Sequence, residues 1–72
     1  MPMHVRLSEP GLLQSLVDCF LRNGCVAHRV ADDSCAVVHV HAADAQEAWV
    51  EVGFYLRAWE TLHPGVAAVL TA

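Results

Sequence analysis

Seventy-two residues, 56% of them hydrophobic, make one small domain near the lower size limit for a self-sufficient core. Four arginines and no lysine face eight aspartates and glutamates, a net charge of -4, which disfavours nucleic-acid binding because that needs a basic surface. No apolar run is long enough to span a bilayer, and Met1-Pro2-Met3-His4 lacks the basic start and apolar segment of a signal peptide, so a soluble cytoplasmic protein with no membrane partner is expected.

A globule this small has little interior. Part of its apolar surface is therefore expected to meet a second copy, most simply in a homodimer. Cys19, Cys25 and Cys35 form an odd set with no C-x-x-C pair, which argues against a disulfide framework or a zinc knuckle. They read as small buried hydrophobes.

In chain order, Met3, Val5 and Leu7 alternate with His4 and Arg6, the period of a half-buried strand. Ser8 or Glu9 is placed to cap the helix that follows, and Pro10 suits its first turn. Gly11 has no Cβ and lets another backbone or a small ligand come close. Leu12, Leu13, Leu16, Val17, Phe20 and Leu21 recur at three- and four-residue steps and make one apolar stripe. Asn23-Gly24 ends the helix, with Gly24 as a left-handed cap.

Residues 25–30 and 35–41 read as two strands of a hairpin around the turn cluster 31–34. An odd loop, Asp32-Asp33-Ser34, segregates the faces better than an even one. It puts Val26, Val30, Ala36, Val38 and Val40 on an expected core face, with His28 tolerated there at an edge. Arg29, Cys35, Val37, His39 and His41 fall on the other.

Asp44, with Glu47 three residues on, has the spacing of a capping box and opens a second helix reaching Leu62. Ala45, Ala48, Trp49, Val52, Leu56, Trp59 and Leu62 form its expected core stripe. Val50, Phe54 and Ala58 lie well round the helix from it. They are either a partner contact or the flank of a wide stripe. The helix end is expected to overhang the sheet and bring Trp59 against another subunit, so that Val50 and Phe54 of the second face, with Trp59, are the interface candidates. His63-Pro64-Gly65 stops the helix, and Val66 to Leu70 reads as a last strand.

The element order implies an α+β, ferredoxin-like βαββαβ domain over residues 1–72. It has a four-stranded antiparallel sheet, two helices on one face, and the first and third strands at the centre.

The run HVRLSEPGLLQSLVDCFLRNGCVAHRV resembles the opening of an ACT domain: a first strand, a Pro-Gly-Leu turn into the first helix, and a small residue near Gly24. HPGVAAVLTA is similar to that family's lead into its last strand. The resemblance implies a non-catalytic regulatory or ligand-sensing module, binding an amino acid or similar small carboxylate at a subunit interface near Glu9, Pro10 and Gly11. The alternative is a protein-interaction or assembly domain with no small ligand. A third reading is a metal-binding protein using His39 and His41, which alternate on one strand with His4, Arg6 and Cys35 expected nearby. The site reading itself takes no metal and no cofactor. No Walker loop, dinucleotide glycines or H-E-x-x-H occurs, and no nucleophile has a base in reach, so an enzyme is not expected.

Overall fold

The computed structural model describes residues 2–72. It contains strand β1 (Met3–Leu7), a 3-10 turn (Pro10–Leu12), helix α1 (Leu13–Arg22), β2 (Cys25–Ala31), β3 (Ser34–His39), helix α2 (Ala45–Thr61) and β4 (Ala68–Thr71). The protein is α+β. Its four strands form one antiparallel sheet in the order β2-β3-β1-β4, with β1 and β3 in the middle.

One core joins the sheet to the helices. Met3, Val5, Leu7, Cys25, Ala27, Cys35 and Val37 enter it from the strands, Leu13, Leu16, Val17 and Phe20 from α1, and Val52, Leu56 and Trp59 from α2. Burying each large side chain stabilises the fold by about 1.5–3 kcal/mol. The alternate strand residues His4, Arg6, Val26, His28 and Val38 are exposed.

The hairpin keeps the expected parity and reverses the expected faces. Asp32-Asp33 is a two-residue turn, with Ala31 opposite Ser34. Arg29 nevertheless pairs with Cys35, so Val30 is an extra residue in a β-bulge. No non-glycine residue among those described has positive φ, so this turn lacks the left-handed residues that match strand twist, and the bulge takes up the difference. The bulge supplies the odd residue that the three-residue loop was expected to supply. Cys25, Ala27, Cys35, Val37 and His39 thus face the helices. Val26, Val30, Val38 and Val40, expected in the core, are 41–55% exposed, and His28 faces outward with Val26 and Val38. Valine content did not mark the core face, because Cys35 and Val37 lie opposite Val5 and Met3, whose own face is set by α1 and α2.

The helix ends differ from expectation at one of the two N-termini. Asp44 caps α2 by accepting from Glu47 N at 2.8 Å, and Glu47 Oε1 accepts from Ala43 N, one residue before the cap. Neither Ser8 nor Glu9 caps the first helix with its side chain. Leu12 N bonds the Glu9 carbonyl instead, and Ser8 Oγ accepts from Ala67 N at 2.9 Å, tying the β1 exit to the β4 entry. Gly24 has φ 81°, the left-handed cap.

The reversed faces give an opposed pair of outcomes. Val37→Ala is expected to cost about 2 kcal/mol, the loss of two buried methyl groups plus a cavity. Val38→Ala, one residue on, should stay within about 0.5 kcal/mol. Urea denaturation of both variants checks this.

Candidate functional site

Three places gather chemistry or uncovered apolar surface. At the first, β3 ends in His39, whose ring turns inward because it shares the face of Cys35 and Val37. Its side chain is 7% exposed and meets Glu51 of α2, Nε2 to Oε1 at 2.5 Å. Nδ1 is buried without a partner. Tyr55, one turn beyond Glu51, packs on the imidazole with ring centroids 5.9 Å apart. Cys25 is the cross-strand neighbour of His39, and Cys19 lies near enough to affect its titration.

This cluster does not have the character of a nucleophilic site. Burial pushes the Cys25 thiol up, and the negative forms of Cys19 and Glu51 push it further. Burial also raises Cys35, against a smaller lowering by a backbone hydrogen bond at Val5. Both thiols are held neutral, whereas attack needs a thiolate. Tyr55 is raised as well, by burial first and then by Glu51 and Cys25.

The expected histidine surface is not formed. His39 faces the helices, His41 lies in the turn after β3, and His4 and Arg6 stand on the outer face. Cys35 is fully buried beneath the helices. Among the described residues no group of three or more His, Cys, Asp or Glu is placed to hold a metal. The His39–Glu51 pair was not legible in the sequence, since nothing local tells a strand histidine which turn of a later helix it meets.

The second place is the expected ligand loop. A shallow depression of about 400 Å³ is lined by Arg6, Leu7, Ser8, Pro10, Asp33, Ala67 and Val69. Pro10 is part of it. Glu9 and Gly11 are not, and a Cβ built on Gly11 would meet nothing within 4 Å, so no close approach inside this chain requires the glycine.

The third place is a groove of about 420 Å³ between the outer side of α2 and β4. Trp49, Val50, Gly53, Phe54 and Leu56 form its helix wall, Ala68 and Leu70 its strand wall, and Arg57 and Glu60 stand beside them. Val50 is 50% and Phe54 69% exposed. Trp59, the third interface candidate, is in the core instead. Its indole N–H donates to Ser15 of α1 at 3.1 Å, and its ring stacks on His63 at 4.0 Å. It follows Val52 and Leu56 at helical spacing, so it points inward with them. Trp49 and Leu62, expected in the core stripe, are 43% and 77% exposed. The buried stripe is narrower than the apolar one because α2 touches α1 and the sheet along one line only.

Comparison with protein-family models, with curated proteins and with solved structures finds no match to this chain.

The raised thiols set a pH dependence. In the unfolded chain the cysteines ionise around their ordinary value of 9, and in the fold they stay protonated to higher pH. The native state then binds more protons, so stability is fully present below about pH 9 and falls as pH rises above it. Urea midpoints measured from neutral pH upward should show this fall, and it should shrink in the Cys25→Ala/Cys35→Ala double variant.

Proposed function

We propose that the chain is a non-catalytic assembly module that docks protein surfaces, its own copy first, in the groove between α2 and β4. The observation that carries this reading is Phe54, a large aromatic ring left mostly in water on the wall of that groove. Exposed aromatic anchors are typical of the centre of protein interfaces. The strand order, together with the single core shared by both helices, supports a ferredoxin-like βαββαβ assignment. The Pro10-Gly11 entry to the first helix supports the ACT-like one. The covered, neutral Cys25 and the engaged His39 support a module without catalysis. Three free cysteines fit a reducing compartment such as the cytoplasm.

Light scattering during size-exclusion chromatography tests the reading. The wild-type chain is expected at twice its 7.8 kDa mass. Phe54→Glu should run as a monomer with its circular dichroism unchanged, because the side chain contributes little to the core. A Phe54→Glu chain that still runs at the dimer mass would rule out the groove as the docking face.

The Arg6–Asp33 depression favours a second reading, a sensor of small zwitterions. Arg6 is placed to take a carboxylate and Asp33 an ammonium group. A panel of amino acids in thermal melts checks it. A bound amino acid at about a hundred times its Kd should add roughly 2.7 kcal/mol. Arg6→Ala should remove the shift, and a flat panel would eliminate this reading for the compounds tried.

A further inference from the structure

The groove has a strand edge as one wall. Ser8 N donates to Ala67 O, which places the odd-numbered residues of β4 with their backbone groups toward β1. Ala68 and Leu70 therefore direct N–H and C=O outward, while their side chains line the groove. Ala68–Thr71 has no charge, proline or bulge, the devices that keep a strand edge from pairing. The opposite edge has two of them: β2 carries the charge of Arg29 and the bulge at Val30.

Resting on the reading of the groove as a protein-docking face, we propose that β4 pairs antiparallel with β4 of a second copy, across a two-fold axis through Val69, to give a continuous eight-stranded sheet. In this register Ala68 exchanges both backbone hydrogen bonds with Leu70 of the second copy, and Leu70 with its Ala68. Every outward group of those two residues is satisfied. Val69, 50% exposed on the outer face, then lies against its own counterpart. On the other face Leu70 stands beside Ala68 of the second copy, and the axis turns Val50 and Phe54 toward theirs. Arg57 and Glu60 give the contact one charge of each sign per copy. A peptide from another protein could fill the groove, but it would not provide a match for Val69 by symmetry. The area is sufficient: aromatic side chains cover about 150–250 Å² each. The exposed parts of Trp49 and Phe54, with Val50, Val69 and the edge, supply on the order of 500 Å² per copy, or roughly the 1,000 Å² a specific interface needs.

Two variants test the pairing. Ala68→Pro removes an outward N–H at the first residue of an edge strand, where proline is tolerated and the bonds to β1 are untouched. It is expected to convert the dimer to a monomer in light scattering with circular dichroism retained. Val69→Cys places two thiols on a non-hydrogen-bonded pair with Cα atoms about 4.5 Å apart. With oxidised glutathione as oxidant it should give a covalent dimer on non-reducing gels, and the wild type, with its own three cysteines, should not. If Ala68→Pro fails to fold, Val69→Cys decides alone. A monomeric wild type overturns the proposal. So does a dimer that survives Ala68→Pro and is not linked through Val69→Cys. Should Phe54→Glu separate that last dimer, the copies meet through their helices: the groove reading stands and the sheet pairing fails.

Discussion

The single extra residue at Val30 decides which side of the hairpin meets the helices. Two aspartates turn the chain between β2 and β3, and without a left-handed residue the turn fits the strands only with a bulge. Remove the bulge and Ala31–Ser34 pairing would continue as Arg29 opposite Ala36, reversing one strand relative to the other. Cys25 and Ala27 would then no longer share the face of Cys35 and Val37. The core that holds Phe20, Leu16 and Val52 needs all four on one side. The same parity carries His39 inward to Glu51.

That inward turn of His39 gives β3 a polar tie to α2 at the margin of an apolar core. The bond at Nε2 offsets part of the cost of burial, and the unpartnered Nδ1 is the part left over. The pair holds the first half of α2 against the sheet. Trp59, bonded to Ser15 of α1, holds the second half. Between them Val52 and Leu56 seal the contact. With both ends of α2 fixed on its inner line, Val50 and Phe54 have nowhere to go but the groove beside β4. The exposed aromatic is thus a consequence of how the helix is anchored and not of a loosely packed core.

Sequence patterns marked the elements wherever a residue's role is local. The alternation through β1, the stripe of α1 apart from Leu21, which is 51% exposed, the Asp44 cap and the left-handed Gly24 each depend on neighbours within four positions. Roles that depend on distant partners were less legible. Val38 and Val37 look alike to any propensity, and only the packing of two helices distinguishes them. Trp49 and Trp59 sit on the same apolar arc, yet one meets α1 and the other water. Ser8 has the chemistry of a cap and is taken by Ala67, 59 residues away. Of the interface candidates, Val50 and Phe54 lie on the groove because they were separated from the stripe by angle, a local property. Trp59 is covered by α1, whose Ser15 accepts its indole N–H, a contact between elements 44 residues apart that no local pattern shows.

Part of the high apolar fraction is gathered at one edge of the sheet. A domain of this size cannot cover all its valines and leucines, and among the described residues ten large apolar ones remain substantially exposed. Scattered singly, they would mean little. Here several are ordered by the fold. Val69 lies on the outer face of the one unguarded edge, and Leu70 with Val50 and Phe54 on the inner face of that same edge. A free edge alone invites indiscriminate pairing, and a groove alone accepts many shapes. Together they demand a strand that brings apolar side chains on both of its faces, a condition that β4 itself meets.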